Sequence, residues 1–112
     1  MHNILIVEDE YANRMLLKDI LEDIDQYALK IYEAETGSKA INIMKSNDIE
    51  LVFVDMKLPD MDGKDIGQAA HGIVVLITGM EMKEDLYSHW AQEYIQKPYD
   101  EKDILNIINK YF

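Results

Sequence analysis

The sequence lacks cysteine and any long apolar run. Without cysteine there are no disulfide bonds, thiolate metal sites or thiol nucleophiles, and the composition is compatible with a reducing cytosol. No apolar segment approaches the roughly 20 residues that a membrane-spanning helix needs. The start of the chain carries no cationic leader with a cleavage site. We therefore expect a soluble, cytoplasmic domain that does not engage a membrane.

Basic residues are also scarce. The chain has 11 lysine and arginine residues against 22 aspartate and glutamate residues, for a formal net charge of −11. So few cations cannot neutralise the phosphates of a nucleic acid, and we expect no direct nucleic-acid binding. Apolar residues still make up 48% of the chain, which excludes a disordered protein. The length fits a single domain over residues 1–112.

The order of apolar segments predicts the fold. Five segments have the composition of strands, namely residues 4–7, 29–34, 51–54, 73–77 and 94–96. The intervening and final segments predict helices over about residues 10–23, 39–46, 64–70, 81–92 and 101–111. Regular alternation of strand and helix favours a parallel sheet with helices on both faces. We therefore predict an α/β fold with a doubly wound, five-stranded parallel sheet.

The most informative stretch is LVFVDMKLPDMDG at residues 51–63. Its apolar run ends abruptly at Asp55, and Pro59 prevents continuation of a central strand. The acids and Gly63 that follow supply turn chemistry. Asp55 is therefore held at the carboxyl end of a buried strand, which is the edge where ligands bind in open α/β sheets. Taken alone, Asp55 could equally be a cap for the following turn.

Polar residues follow other predicted strands as well. Glu8 and Asp9 follow the first strand, Thr78 the fourth and Lys97 the fifth. Each has an ordinary explanation as a cap or a surface charge, but a parallel sheet would deliver all of them to one edge together with Asp55. Neighbouring carboxylates repel one another unless a cation is present, and Mg²⁺ prefers oxygen ligands. A carboxylate beside a metal, a hydroxyl and an ammonium is equipped for phosphoryl transfer.

These segments resemble the motifs of response-regulator receiver domains of two-component signalling. The resemblance rests on IVEDE at 6–10, VDMKLPDMDG at 54–63, ITG at 77–79 and YIQKP at 94–98, in the family's order and spacing. It covers essentially the whole chain. It implies a flavodoxin-like (βα)5 fold with strand order 2-1-3-4-5, as in chemotaxis regulators. That order would place the first and third strands side by side.

The resemblance also implies a cofactor, Mg²⁺, and its ligands. Asp55 would be both the phosphoacceptor and a direct metal ligand, and Asp9 a second direct ligand. Glu8 would bind the metal through a water molecule, and the backbone carbonyl of Lys57 would complete the protein ligands.

The remaining implied roles concern the phosphoryl group and the response to it. The hydroxyl of Thr78 and the ammonium of Lys97 would bind the phosphoryl oxygens, and the peptide bond from Lys97 to Pro98 is expected to be cis. Tyr94 matches the family's switch aromatic, although it could also be a residue at the rim of the core. The surface expected to change is the fourth helix, fifth strand and fifth helix.

The implied partners are a sensor histidine kinase or a histidine phosphotransfer domain, with a downstream effector protein or domain. A receiver catalyses its own phosphorylation and slow dephosphorylation, and it is not counted as a conventional enzyme. The chain departs from the family at three places. The segment 64–72 is short for a third helix, Gly79 replaces a small side chain, and Lys57 and Met80 occupy positions that tune the lifetime of the aspartyl phosphate.

Two alternative functions follow from the same residues. A haloacid-dehalogenase-like phosphatase also uses an aspartate nucleophile and Mg²⁺, but it carries a second acid two residues later, where this chain has Lys57. A pseudo-receiver would bind partners without being phosphorylated. The complete set of acidic, hydroxyl and ammonium residues argues against it.

Overall fold

Strands and helices alternate along the chain in the computed structural model, which describes residues 1–112. The strands are β1 His2–Val7, β2 Leu29–Ala34, β3 Leu51–Val54, β4 Ile73–Thr78 and β5 Glu93–Gln96. The helices are α1 Tyr11–Glu22, α2 Gly37–Ser46, α3 Gly63–Ala69, α4 Glu84–Tyr87 and α5 Glu101–Tyr111. All neighbouring strands are parallel, in the order β2-β1-β3-β4-β5. The predicted fold class and strand order are confirmed.

The central strand β3 separates two layers of core, since successive side chains of a strand point to opposite faces. Phe53 lies on one face and packs with residues of α1 and α5, among them Leu21 and Ile104. Val52 and Val54 lie on the other face with residues of α2 and α3. All four residues of β3 are buried, which explains why its sequence is a continuous apolar run rather than an alternating one.

The fourth helix is much shorter than the sequence predicts. A helix over residues 81–92 would place Leu86 and Trp90 on the same face, but Leu86 is 56% exposed and Trp90 is 5% exposed. Helix α4 is a single turn, Glu84–Tyr87, and the chain then continues through turns. The prediction was wrong because burial of the indole against α3 overrides the local helical pattern.

Gly67 of α3 makes room for that indole. A β-carbon at Gly67 would lie 2.6 Å from Cε3 of Trp90 and 2.9 Å from its backbone oxygen. The indole Nε1 donates a hydrogen bond to the carbonyl of Leu86 at 3.0 Å. The short helix α3 is thus in direct contact with the segment after α4. None of the five helices has the length and apolarity needed to cross a membrane.

The register of the sheet determines which residues meet at its carboxyl edge. Val7 of β1 is paired with Val54 of β3, so Glu8 and Asp55 leave the sheet side by side. On the other side of β3, Thr78 of β4 is paired with Gln96 of β5, the residue directly before Lys97. The peptide bond between Lys97 and Pro98 is cis, as expected. The four strand ends therefore deliver their polar residues to one place.

Candidate functional site

The centre of the site is the ammonium group of Lys97. Its Nζ lies 2.5 Å from Oε1 of Glu8 and 2.8 Å from Oδ2 of Asp55. Backbone hydrogen bonds hold two of these residues at the sheet edge, from the Lys97 N–H to the Thr78 carbonyl at 2.9 Å and from the Asp55 N–H to the Val7 carbonyl at 3.1 Å. One cation thus joins carboxylates from two neighbouring strands.

Partial burial controls the electrostatics of this group. The side chains of Lys97, Asp55 and Glu8 are 22%, 16% and 9% exposed. Burial raises the pKa of the Glu8 carboxyl, although the hydrogen bond and charge of Lys97 oppose this. Burial by itself would lower the pKa of Lys97, but its hydrogen bonds to Asp55 and Glu8 outweigh that effect and the pKa is raised. Lys97 therefore remains a cation at neutral pH.

Thr78 is fixed at the end of β4 beside this group. It is 2% exposed, and its Oγ1 accepts a hydrogen bond from the Met80 N–H at 3.3 Å. Accepting that bond leaves the hydroxyl proton free to donate. A β-carbon on Gly79 would meet no atom within 4 Å. Glycine is therefore not sterically required at this departure from the family pattern.

Tyr94 links β5 to the loop that follows Thr78. Its hydroxyl donates to the Met80 carbonyl at 2.6 Å and accepts from the Met82 N–H at 3.2 Å. Its ring lies 5.2 Å from the ring of Tyr87 in α4. Tyr94 is half-buried and forms part of a continuous contact between Thr78, the loop and α4.

The other two predicted ligands lie at the rim. Asp9 and Lys57 are exposed, and the Lys57 N–H is 3.5 Å from Oδ1 of Asp55. No three acidic or histidine side chains form a cluster with metal-binding spacing. The donor set of carboxylates and a carbonyl nevertheless suits a hard cation such as Mg²⁺, and Glu8 and Asp55 already share one positive charge. The chemistry of these residues fits the metal.

Arg14 of α1 was not identified from the sequence. Its Nη1 donates to the backbone carbonyl of Glu8 at 2.9 Å, and its Nε lies 3.2 Å from Oε1 of Glu33 in β2. The Arg14 side chain is only 11% exposed. The one available signal was that Arg14 is the only arginine in the chain. It ties the acidic end of β1 to α1 and β2.

A parallel sheet of this order, with two acids and a lysine in contact at its carboxyl edge and a buried threonine beside them, defines the class of receiver domains. The sequence profile of the response regulator receiver domain matches residues 4–109. The chain belongs to this family.

Individual relatives agree with this assignment. The chain is 34% identical over 117 residues to the chemotaxis protein CheY of Bacillus subtilis, covering 97% of this chain and 96% of that protein. It is 27% identical to part of the sensor histidine kinase GacS of Pseudomonas protegens, spanning 13% of that protein and 96% of this chain. The response regulator TrrA of Thermotoga maritima, solved in complex with Mg²⁺–BeF, superposes with a TM-score of 0.88 at 27% identity and covers 100% of both chains.

Proposed function

We propose that this chain is a phosphoacceptor of a two-component phosphorelay, which receives a phosphoryl group on Asp55 and switches a neighbouring surface. The observation that carries the proposal is the contact of Lys97 Nζ with Asp55 Oδ2 at 2.8 Å. It places a permanent cation beside a carboxylate at the ligand-binding edge of the sheet. The fold and the family are those of receivers.

The proposed reaction transfers a phosphoryl group from a phosphohistidine. An oxygen of the Asp55 carboxylate forms a bond to phosphorus while the bond from phosphorus to the imidazole nitrogen breaks, and the imidazole keeps that electron pair. Lys97 neutralises charge on the phosphoryl oxygens, and the Thr78 hydroxyl donates a hydrogen bond to one of them. Mg²⁺, held by Asp9, Asp55, the Lys57 carbonyl and Glu8 through water, would supply further positive charge.

Loss of the phosphoryl group completes the cycle. Water attacks phosphorus, the bond to Asp55 breaks, and the carboxylate and inorganic phosphate are released. Because the chain is itself the acceptor, we propose that it acts as a self-catalysing switch and not as a conventional enzyme. The donor would be a sensor histidine kinase or a histidine phosphotransfer domain, and the receiver of the signal an effector protein or domain. The match to part of a sensor histidine kinase supports a kinase partner.

Intact-mass spectrometry tests the proposal directly. After incubation with acetyl phosphate and Mg²⁺, we expect one phosphoryl adduct per chain, because Asp55 occupies the single phosphoacceptor position of the receiver motif and its Oδ2 lies 2.8 Å from Lys97 Nζ. The adduct should be absent when Mg²⁺ is chelated and absent in the Asp55→Asn variant. Thermal unfolding of the variant, compared with the wild type, checks that it is folded.

The opposite result would favour the pseudo-receiver. If Mg²⁺ binds, as measured by calorimetry, but no adduct forms, the chain acts by contact alone. An adduct that persists in the Asp55→Asn variant would place the acceptor elsewhere and contradict the assignment of Asp55.

The switch that we propose runs from Thr78 to Tyr94. Movement of the Thr78 hydroxyl towards a phosphoryl oxygen would break its hydrogen bond from the Met80 N–H. The Met80 carbonyl in turn accepts a hydrogen bond from the Tyr94 hydroxyl, so the change would reach β5. The loop after β4 is thereby released and the α4–β5–α5 surface changes its population of conformations.

Amide hydrogen exchange tests the switch. With Mg²⁺ and beryllium fluoride as a phosphoryl mimic, we expect altered exchange within residues 79–112, concentrated in the loop after Thr78 and in β5. Residues of β2 serve as the internal control, because β2 is the edge strand on the opposite side of the sheet from β5. Unchanged exchange across residues 79–112, with the mimic bound, would contradict the switch.

A further inference from the structure

The segment between β3 and α3, residues 55–62, is a closed loop. Lys57 and Asp62 form an antiparallel bridge across it, and the Leu58 N–H donates to the Met61 carbonyl at 3.1 Å. At its end, the Gly63 N–H donates to the Met56 carbonyl at 2.6 Å. These bonds shape the loop and join its start to the first residue of α3, and the side chains of Met56, Leu58 and Met61 pack against the core.

The carboxylate of Asp60 attaches the tip of this loop to α2. Its Oδ1 accepts from the Gly37 N–H at 2.8 Å and its Oδ2 from the Ser38 N–H at 2.9 Å. These are N–H groups of the first turn of a helix, which have no partner within the helix. The bonds from Ser38 and Gly37 hold the pKa of Asp60 below its usual value, so the carboxylate is ionised at neutral pH.

The contact is not needed to cap α2. Thr36 already occupies the N-cap position, and its Oγ1 accepts from the Lys39 N–H at 3.1 Å. Asp60, 23 residues from Gly37 along the chain, binds the two N–H groups that Thr36 leaves free. The helix therefore has a local cap from its own sequence and a second attachment from the loop beside the site.

A second loop residue packs on the same spot. A β-carbon on Gly37 would lie 2.3 Å from Cγ and 2.4 Å from Sδ of Met61. The absence of a side chain at Gly37 thus lets Met61 lie directly over the start of α2. Asp60 and Met61 together form a clasp, by polar and apolar contact, between the loop and the helix.

The clasp lies in the same loop as Lys57, whose carbonyl is the proposed metal ligand. The loop is fixed at one end by β3, through Asp55, and at its tip by Asp60. Lys57 lies between these two points and is exposed, and its N–H lies 3.5 Å from Oδ1 of Asp55. Its carbonyl belongs to the peptide group whose Leu58 N–H donates to the Met61 carbonyl, and the neighbouring side chains of Met56 and Leu58 pack against the core. The position of the carbonyl therefore depends on the placement of the loop as a whole.

We infer that Asp60 is a positioning residue for phosphoryl transfer: it binds the N-terminus of α2 and thereby holds the loop 55–62, with the Lys57 carbonyl, in the geometry that Asp55 chemistry requires. This inference rests on the proposed function. It also makes α2 a structural support of the site, so a ligand or partner that displaced the start of α2 would loosen the loop.

The test compares Asp60→Ala with Thr36→Ala. Both remove hydrogen bonds from the first turn of α2, but only the first releases the loop. In Asp60→Ala we expect faster amide exchange in residues 56–62. Mg²⁺ binding should be about tenfold weaker and phosphorylation by acetyl phosphate about tenfold slower, because the competent loop conformation would fall to about a tenth of the population. Thr36→Ala should lower the melting temperature and leave all three quantities at wild-type values. Asp60→Asn, which keeps one acceptor oxygen, should be intermediate and covers the case in which Asp60→Ala does not fold.

Two results would overturn the inference. Wild-type loop exchange and phosphorylation in Asp60→Ala would mean that the clasp positions nothing. Equal losses in Thr36→Ala would mean that only the stability of α2 matters. Failure of the proposed function looks different, because the wild type itself would then take up no phosphoryl group, while loop exchange in the unmodified protein still decides whether Asp60 holds the loop.

Discussion

Replacing Lys97 with methionine should slow phosphorylation of Asp55 by acetyl phosphate about 10²–10³-fold, the effect of removing one preorganised charge-stabilising group from a transition state. Methionine preserves much of the apolar stem and removes only the ammonium. The physical reason is that Lys97 Nζ lies 2.8 Å from the proposed acceptor carboxylate and its raised pKa keeps it charged. Initial rates from intact-mass spectra at saturating Mg²⁺ measure the effect.

The same variant should change how stability depends on pH. The pKa of Lys97 is raised in the folded state. Its contribution to the free energy of unfolding is therefore fully present below about pH 10.5 and is lost as the pH rises through the pKa of the folded state. Without Lys97, Glu8 loses its counter-charge and its pKa, already raised by burial, rises further. The deficit at about pH 7 should be about 1–3 kcal/mol, a value reduced from that of a fully buried pair because these side chains are partly exposed. It should shrink as the pH falls below neutrality and Glu8 takes up a proton, because the pKa of Glu8 is raised.

Urea unfolding at several pH values tests this prediction. Lys102→Met is the matched control, because Lys102 is exposed and lies away from the site, and it should change the free energy of unfolding by less than about 0.5 kcal/mol. If the deficit of Lys97→Met were the same at all pH values, the carboxylates would not depend on Lys97. The electrostatic account of the site would then be wrong.

Phe53→Ala should lower the free energy of unfolding by about 3–5 kcal/mol, because it removes a large side chain from a close-packed core and leaves a cavity. Phe53 is 1% exposed in the central strand and contacts the layer formed by α1 and α5. A domain of this size has a total stability of about 5–15 kcal/mol, so the variant should be close to unfolded at moderate temperature. Its midpoint in urea measures the loss.

Exposed apolar residues give the comparison for Phe53. Leu86→Ala should change stability by less than about 0.5 kcal/mol, since Leu86 is 56% exposed. Although Phe53 lies only two residues before Asp55, it supplies no group to the proposed reaction. Phosphorylation of Phe53→Ala should therefore fall only in proportion to the fraction of the variant that is folded. A loss of less than about 1 kcal/mol would mean that the core collapses around the missing ring, contrary to close packing of Phe53 with α1 and α5.

Much of the fold follows from the sequence alone. The bounds of β2, β3 and α5 agree with the predicted ones because each segment has a clear composition or period with distinct ends. Asp100, for example, begins α5 by accepting a hydrogen bond from the Asp103 N–H at 3.1 Å. The strand order and the family were also predicted from motifs, and they are confirmed. The local sequence pattern is sufficient to predict a strand or helix where its ends and its buried face are set by neighbouring residues in the sequence.

The candidate site was predicted in part. That Glu8, Asp55 and Lys97 lie together follows from parallel strands, whose carboxyl ends share an edge, and the structure places them in contact. Their roles, and those of Asp9, Thr78 and Tyr94, remain predictions that the experiments above test. Asp9 and Lys57 are exposed, and the Lys57 N–H lies 3.5 Å from Oδ1 of Asp55.

The tertiary structure alone decided the remaining features. Asp60 lies 23 residues from Gly37 along the chain, so no local pattern could reveal their contact. Burial of Trp90 against Gly67 ended a helix that the local period favoured. The sequence by itself determined the strands, their common edge and the chemistry placed there. Which side chains touch was decided by packing, because the free energy of those contacts arises only between segments that the fold brings together.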